Sequence, residues 1–209
     1  MQSTLEINLS RITDNARKIN DACSLCGVEV LGVTKGFSAS PHIVDAMLAG
    51  GIRSLADSRL ENIISLRELG YSQQVTLLRI PCLSDADAVV RLADYSLNSE
   101  PVVIRSLSDA AIKAGRIHNI ILMIDVGDRR EGILPEDAVK IVSEISSLKG
   151  INIAGIGTNM GCYGGILPTM DNLNYLIQIK NDIQNICGIR LKIISGGGTS
   201  SLELVKEGN

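Results

Sequence analysis

Short runs of apolar, mostly β-branched residues recur along the chain at spacings of roughly 20 to 40 positions, and between them the apolar residues fall at helical intervals. Val28–Lys35, Ser54–Asp57, Val75–Ile80, Tyr95–Asn98, Asn119–Val126, Ile151–Gly157 and Leu191–Ile194 read as strands. Helices are predicted over Pro41–Leu48, Leu60–Leu69, Asp85–Ala93, Val102–Ala114, Glu136–Leu148, Asp171–Ile186 and Ser201–Lys206. Gly50-Gly51 and Gly70 stop the first two helices, and Pro135 opens the fifth from the first-turn position that suits a residue without an N–H. Ahead of this alternation, Leu5–Leu9 reads as a short strand. Ser10 or Thr13 is then placed to cap a helix with Ile12, Ala16 and Ile19 on one face.

Strands that alternate with helices require parallel crossovers. A strand that is apolar at almost every position, as Val28–Lys35 is, is expected to be covered on both faces. An open doubly wound sheet and a (β/α)8 barrel both satisfy this pattern. No G-x-G-x-x-G follows the first strand, which disfavours a dinucleotide fold. Aromatic residues are 2% of the chain against 45% apolar, so Ile, Val, Leu and Ala must fill the interior, as they do in a parallel barrel. The expected fold is therefore α/β, a (β/α)8 TIM barrel with seven of its eight strands, and the chain reads as partial. Residues 1–27 are expected to form an N-terminal strand and helix segment packing on a partial barrel of residues 28–209.

A net charge of −3 and a pI near 5.4 supply no basic surface for nucleic acid or anionic lipid, which points to a small-molecule ligand. Cys23, Cys26, Cys82, Cys162 and Cys187 are odd in number and scattered through regular elements, so a reducing compartment, the cytoplasm, is expected rather than a disulfide framework. Cys23-Ser-Leu-Cys26 lacks a second pair and a nearby His, so no metal centre is expected there. The opening MQSTLEINLSR has no basic region followed by an apolar one. Gly150–Met170 is uncharged, but Asn, Thr, Pro and repeated Gly interrupt it, so it reads as a strand and loop and not a membrane span.

Candidate chemistry gathers at the C-terminal ends of the strands, which form one rim in a barrel. Lys35 ends the first strand; held partly out of water, its amine would be able to form a Schiff base, whereas a solvated strand-closing lysine is the plain alternative. Asp57-Ser58-Arg59 ends the second and can either line the rim or cap a helix with an ion pair. The fifth ends in the charge cluster Asp125-Val-Gly-Asp128-Arg129-Arg130-Glu131-Gly132, and the sixth in the glycine-rich run Gly157–Gly165. The seventh ends in Ser195-Gly-Gly-Gly-Thr-Ser-Ser201, where backbone N–H groups at a helix start can approach an anion such as phosphate closely; a flexible connector is the alternative. A Schiff-base lysine and a phosphate cradle together suggest pyridoxal 5′-phosphate (PLP). Met47, Met123 and Met160 read as core filler.

The stretches LEINLSRITDNARKI, VLGVTKGF, LADSRLENI, LMIDVGDRREGI, GIGTNMGCYGG and ISGGGTSSLELV, in that order, carry a resemblance to a known family. The chain resembles the fold-type III PLP-dependent amino-acid racemases, the alanine racemase N-terminal-domain family, and within it the alanine/ornithine racemase branch. The resemblance implies a cytoplasmic isomerase, a homodimer when full length, that interconverts L- and D-amino acids of the ornithine or alanine type through an external aldimine and α-proton abstraction. Lys35 would be the Schiff-base lysine and one catalytic base. Arg130 would lie beside the cofactor's phenolic oxygen or the substrate carboxylate, and Gly198, Thr199 and Ser200 would bind the phosphate. Asn159 stands where alanine racemases carry a ring-contacting histidine, and neither His42 nor His118 falls at a strand end to replace it. Gly198 stands where the branch more often has asparagine. Family members carry an arginine for the pyridine nitrogen on an eighth strand, and a tyrosine as the opposite base in a C-terminal β domain; both lie outside this sequence. Tyr163 and Cys162 are the local candidates for that second base. Arg129 and Asp128 would form a surface pair or hold Arg130 in place. A non-catalytic PLP-buffering barrel and a PLP-dependent threonine aldolase share the resemblance as alternatives.

Overall fold

A helix stands between every two consecutive strands, and the sheet that results is wholly parallel. In the computed structural model of the chain, which describes residues 4–162 and 165–206, the strands are β1 (Leu31–Val33), β2 (Ser54–Asp57), β3 (Gln74–Leu77), β4 (Tyr95–Asn98), β5 (His118–Met123), β6 (Ile151–Gly157) and β7 (Ile193–Ser195). The helices are α1 (Leu9–Leu25), α2 (Pro41–Ala49), α3 (Leu60–Glu68), α4 (Ala86–Leu92), α5 (Pro101–Lys113), α6 (Ala138–Ile145), α7 (Met170–Cys187) and α8 (Leu202–Lys206).

The strands lie in the order β1-β2-β3-β4-β5-β6-β7 with no reversal. Right-handed crossovers that always advance in one direction put every helix on the same face of the sheet. The other face curls into a barrel interior. Two separate apolar clusters record this. The larger one, including Leu55, Ile63, Leu66, Ile104, Leu107 and Ile120, lies between strands and helices. The smaller holds Leu97, Ile121 and Met123, with Leu78, Tyr95 and Ile193 against them, on the concave face. The curl brings the first and last helices together: α8 packs on α1, where the Cys26 thiol lies 3.3 Å from the Val205 carbonyl across 179 residues of sequence. The fold is a partial (β/α)8 barrel.

Several local expectations change. Residues 5–8 form no strand, because Asn8 caps α1 instead, its Oδ1 accepting from the Arg11 N–H at 3.0 Å and the Ser10 hydroxyl at 2.8 Å. Neither Ser10 nor Thr13 is the cap; the Thr13 hydroxyl donates to the Ala46 carbonyl and ties α1 to α2. Strand β1 is three residues long, and it is covered on one face only: Gly32 is buried against Met47, Ile52 and Leu55, while Leu31 and Val33 are 36% and 40% exposed. An edge strand of a curled sheet has a neighbour on one side, so its concave-face residues lack the packing that central strands receive. Pro135 opens a 3₁₀ turn, Pro135–Asp137, and α6 begins after it. His118 does stand at a strand end, as the first residue of β5, on the side of the barrel opposite the rim.

Candidate active site

The rim begins where β1 and β2 end. Thr34 and Asp57 are fully buried, and the Thr34 hydroxyl donates to Asp57 Oδ2 at 2.5 Å. The same carboxylate accepts from the Arg59 N–H at 2.8 Å and the Asn62 side chain at 3.0 Å, so a buried charge is supplied with three donors. Asp57 is thus a fastening between β1, β2 and the start of α3 and not a free rim carboxylate; Arg59 is exposed. The fastening holds the residue immediately before Lys35. Lys35 itself is the first residue of a 3₁₀ turn, Lys35–Phe37, and its side chain is exposed and not partly withdrawn from water. The openness of β1 on its concave face accounts for that. Ser38 and Ala39 follow at φ 50° and 54°, a left-handed pair of non-glycine residues. Strain of this kind persists only where surrounding bonds over-determine the backbone, and here the Phe37 and Ala39 N–H groups both donate to the Thr34 carbonyl at 3.2 Å.

The loop after β5 is folded back on its own strand. Ile133 N–H donates to the Met123 carbonyl at 2.8 Å and Asp125 N–H to the Ile133 carbonyl at 3.0 Å. Asp125 Oδ1 accepts from the N–H groups of Gly127 and Arg129, at 2.9 and 3.0 Å. Gly132 has φ 123°, and a Cβ there would lie 2.5 Å from the Asp125 nitrogen, so no other residue fits without moving the loop. Held in this way, Arg130 and Glu131 project beside Asn159 from the loop after β6. The Asn159 side-chain N–H donates to Glu131 Oε1 at 2.6 Å, and Arg130 Nη2 lies 3.9 Å from the same oxygen. Asp128 forms no ion pair with Arg129 or Arg130 among the described residues; both its carboxylate oxygens are buried without a hydrogen-bond partner.

The loops after β6 and β7 interlock. Thr158 N–H donates to the Ser195 carbonyl at 3.0 Å, and the Ser200 hydroxyl donates to the Met160 carbonyl at 3.1 Å. Gly161, at φ 69°, packs directly against the Ser200 side chain. Gly198 and Thr199 are exposed, and Thr199–Ser201 forms a 3₁₀ turn leading into α8. The Ser201 hydroxyl donates to the Gly196 carbonyl at 2.9 Å, closing the glycine turn. Of the two hydroxyls expected to face an anion, Ser200 is engaged with Met160 and Thr199 is free of any such bond among the described residues.

The sites predicted at strand ends accordingly fall into groups on one rim: Lys35 at β1, Arg130 and Asn159 in contact with one carboxylate between β5 and β6, and Gly198, Thr199 and Ser200 after β7. Thr34 was not singled out, Asn62 was given no role, and Glu131 was read only as part of the charge cluster after β5. Thr34 adjoins Lys35 and Glu131 adjoins Arg130, so adjacency was the available signal, but nothing in the chain announces which distant partner each meets. The donor set fits a molecule with an aldehyde at one end and a phosphate at the other: one accessible primary amine, one guanidinium, and backbone N–H groups at glycines that leave no side chain in the way. Cys162 is exposed, and Tyr163 lies outside the described residues. Among the described residues no group of three or more His, Cys, Asp or Glu is arranged to hold a metal ion, and no helix is long and apolar enough to cross a membrane.

The family model described as alanine racemase, N-terminal domain, matches residues 7–207. The chain is 39% identical over 204 residues to the lysine racemase of Thermotoga maritima, covering 98% of this chain and 57% of that protein. It is 36% identical over 209 residues to the ornithine racemase of Acetoanaerobium sticklandii, covering 100% of this chain and 59% of that protein. The chain thus spans less than two thirds of the length of either relative. Among solved structures, the D-threonine aldolase from Filomicrobium marinum overlays with a TM-score of 0.80 at 18% identity, covering 97% of this chain and 57% of that one, a likeness of fold alone.

Proposed function

Since the chain belongs to the alanine racemase N-terminal-domain family, we propose that it is the PLP-binding barrel of an amino-acid racemase acting on a substrate of the ornithine, lysine or alanine kind. The observation that carries the reading is the pairing, on one rim of parallel strands, of an accessible lysine amine after β1 with an exposed glycine-threonine turn after β7. When bound, PLP supplies an electron sink that makes the α-proton of a conjugated amino acid removable.

In this reading the residues divide the work. Lys35 would hold the aldehyde end of the cofactor and serve as the acid/base group for one face of the substrate's α-carbon. The backbone N–H groups at Gly198 and Thr199, with the Thr199 hydroxyl, take the phosphate; Ser200 keeps the β6 and β7 loops in register through Met160. Arg130 would present its fork of donors to an anionic oxygen, and Asn159 would contact the ring. Inversion needs a second acid/base on the opposite face. That group is proposed to come from a C-terminal β domain of the partner subunit, in the homodimer that the resemblance implies. Residues 28–209 would hold the cofactor, and residues 1–27 would brace the barrel from outside through α1. Five free cysteines suit a reducing cytoplasm.

Borohydride reduction of the PLP-loaded protein, followed by peptide mapping, tests the reading. A pyridoxyl group on Lys35, and loss of the visible chromophore in Lys35→Ala, are the expected results. A modified lysine elsewhere, with Lys35 unmodified, would reject it.

A further inference from the structure

We infer that Glu131 is a positioning residue of this site, acting on the ligand through Asn159; the inference rests on the reading that the rim binds PLP. Asn159 Nδ2 to Glu131 Oε1 is 2.6 Å, a close hydrogen bond from a neutral amide to a carboxylate. Arg130 Nη2, at 3.9 Å from the same oxygen, is beyond hydrogen-bond reach, so the carboxylate's short bond is to the amide. The Glu131 side chain is 23% exposed against 40% for Arg130, which puts the carboxylate beneath the rim and the guanidinium at its surface.

A primary amide has a donor end and an acceptor end of nearly the same shape, so in a loop it can present either one to a ligand. Tying one N–H to a carboxylate decides between them. The nitrogen turns toward Glu131, and Oδ1 with the remaining N–H is left in a single orientation. Glu131 can impose this because its own backbone is held: Gly132 is wedged against Asp125, and Ile133 is bonded to Met123 and Asp125. The effect reaches the phosphate turn as well, since Met160, next to Asn159, accepts the Ser200 hydroxyl. Three adjacent loops are thereby connected by two side-chain bonds, and Glu131 is the end of that connection fixed to the barrel wall.

The test titrates PLP into the wild-type protein and into Glu131→Ala, Asn159→Ala and the double variant, read by the cofactor's visible absorbance, with thermal unfolding of each cofactor-free protein alongside. Glu131→Ala should weaken PLP roughly tenfold, the scale of one hydrogen bond to a charged group, while unfolding within a few degrees of wild type. Placed on Asn159→Ala it should cost less than about twofold more, because the residue it positions is gone. Glu131→Gln can still accept from Asn159 and should stay within about threefold of wild type. Asn159→Asp sets two carboxylates face to face and should weaken binding; adding Glu131→Gln restores a donor and an acceptor and should recover most of the loss. Should Glu131→Ala fail to fold, that last rescue decides. Fully multiplicative losses for Glu131→Ala and Asn159→Ala, or no recovery of Asn159→Asp by Glu131→Gln, overturn the inference. If wild type takes up PLP in a Lys35-dependent way and Glu131 is indifferent, this inference alone falls; if wild type takes up none, the functional reading falls and this one with it.

Discussion

His118 is buried at the start of β5, with its Nε2 2.8 Å from Ser96 Oγ, which also accepts from the Asn98 side chain at 2.9 Å. Burial lowers its pKa from the usual 6.5 to about 4, with the neighbouring Arg116 charge adding to the fall and Asp94 opposing it. A histidine depressed in the folded state binds its proton first in the unfolded state. Stability is therefore complete above about pH 6.5 and declines as pH falls toward 4, by roughly 3 kcal/mol over that window. Urea unfolding at pH 7 and pH 4.5 should show this decline, and His118→Gln, which can keep the bond to Ser96, should flatten it; an unchanged pH slope in the variant would refute the assignment. The contrast with the rim is instructive. The positions of Lys35, Arg130 and Thr199 on the rim were legible in the chain because each follows the end of a strand. The Thr34–Asp57 and Glu131–Asn159 bonds were not, because each joins residues 23 and 28 positions apart.

At the level of elements, the strands and helices were legible as existing and in order, while their ends were not. Apolar periodicity reports which face is covered, but where an element stops depends on single bonds, such as the Asn8 cap that turned an expected strand into the lead of α1. Glycine is where element packing is decided most sharply. Gly155 in β6 pairs with Ile193 in β7, and a Cβ at Gly155 would overlap the Ile193 carbonyl and lie 2.7 Å from the Ile193 Cβ. Gly155→Ala should therefore push β7 outward, lowering stability by about 1–3 kcal/mol and, because β7 carries the turn proposed to take the phosphate, weakening PLP uptake as well. Calorimetry with a cofactor titration measures both; unaltered affinity despite a lowered Tm would mean that β7 does not position the turn.

At the scale of the whole molecule, the unreversed strand order places every strand's C-terminal end on one rim, while α8, which follows the last strand, packs on α1, which precedes the first. The proposed chemistry draws on that shared rim. PLP-loaded protein in heavy water should exchange the α-proton of ornithine, lysine or alanine, followed by loss of the α-proton NMR signal. No exchange across that panel would instead favour a barrel that stores the cofactor. The amino-acid sequence alone determined the alternation of strand and helix, the parallel class of the sheet, and the residue types waiting at the strand ends, because periodicity, turn residues and side-chain chemistry are local properties. Tertiary structure alone decided that Lys35 stands exposed, that Asp57 is a buried fastening, and that Glu131 holds Asn159. Burial and hydrogen bonding are relations between distant positions, and they exist only once the sheet has curled.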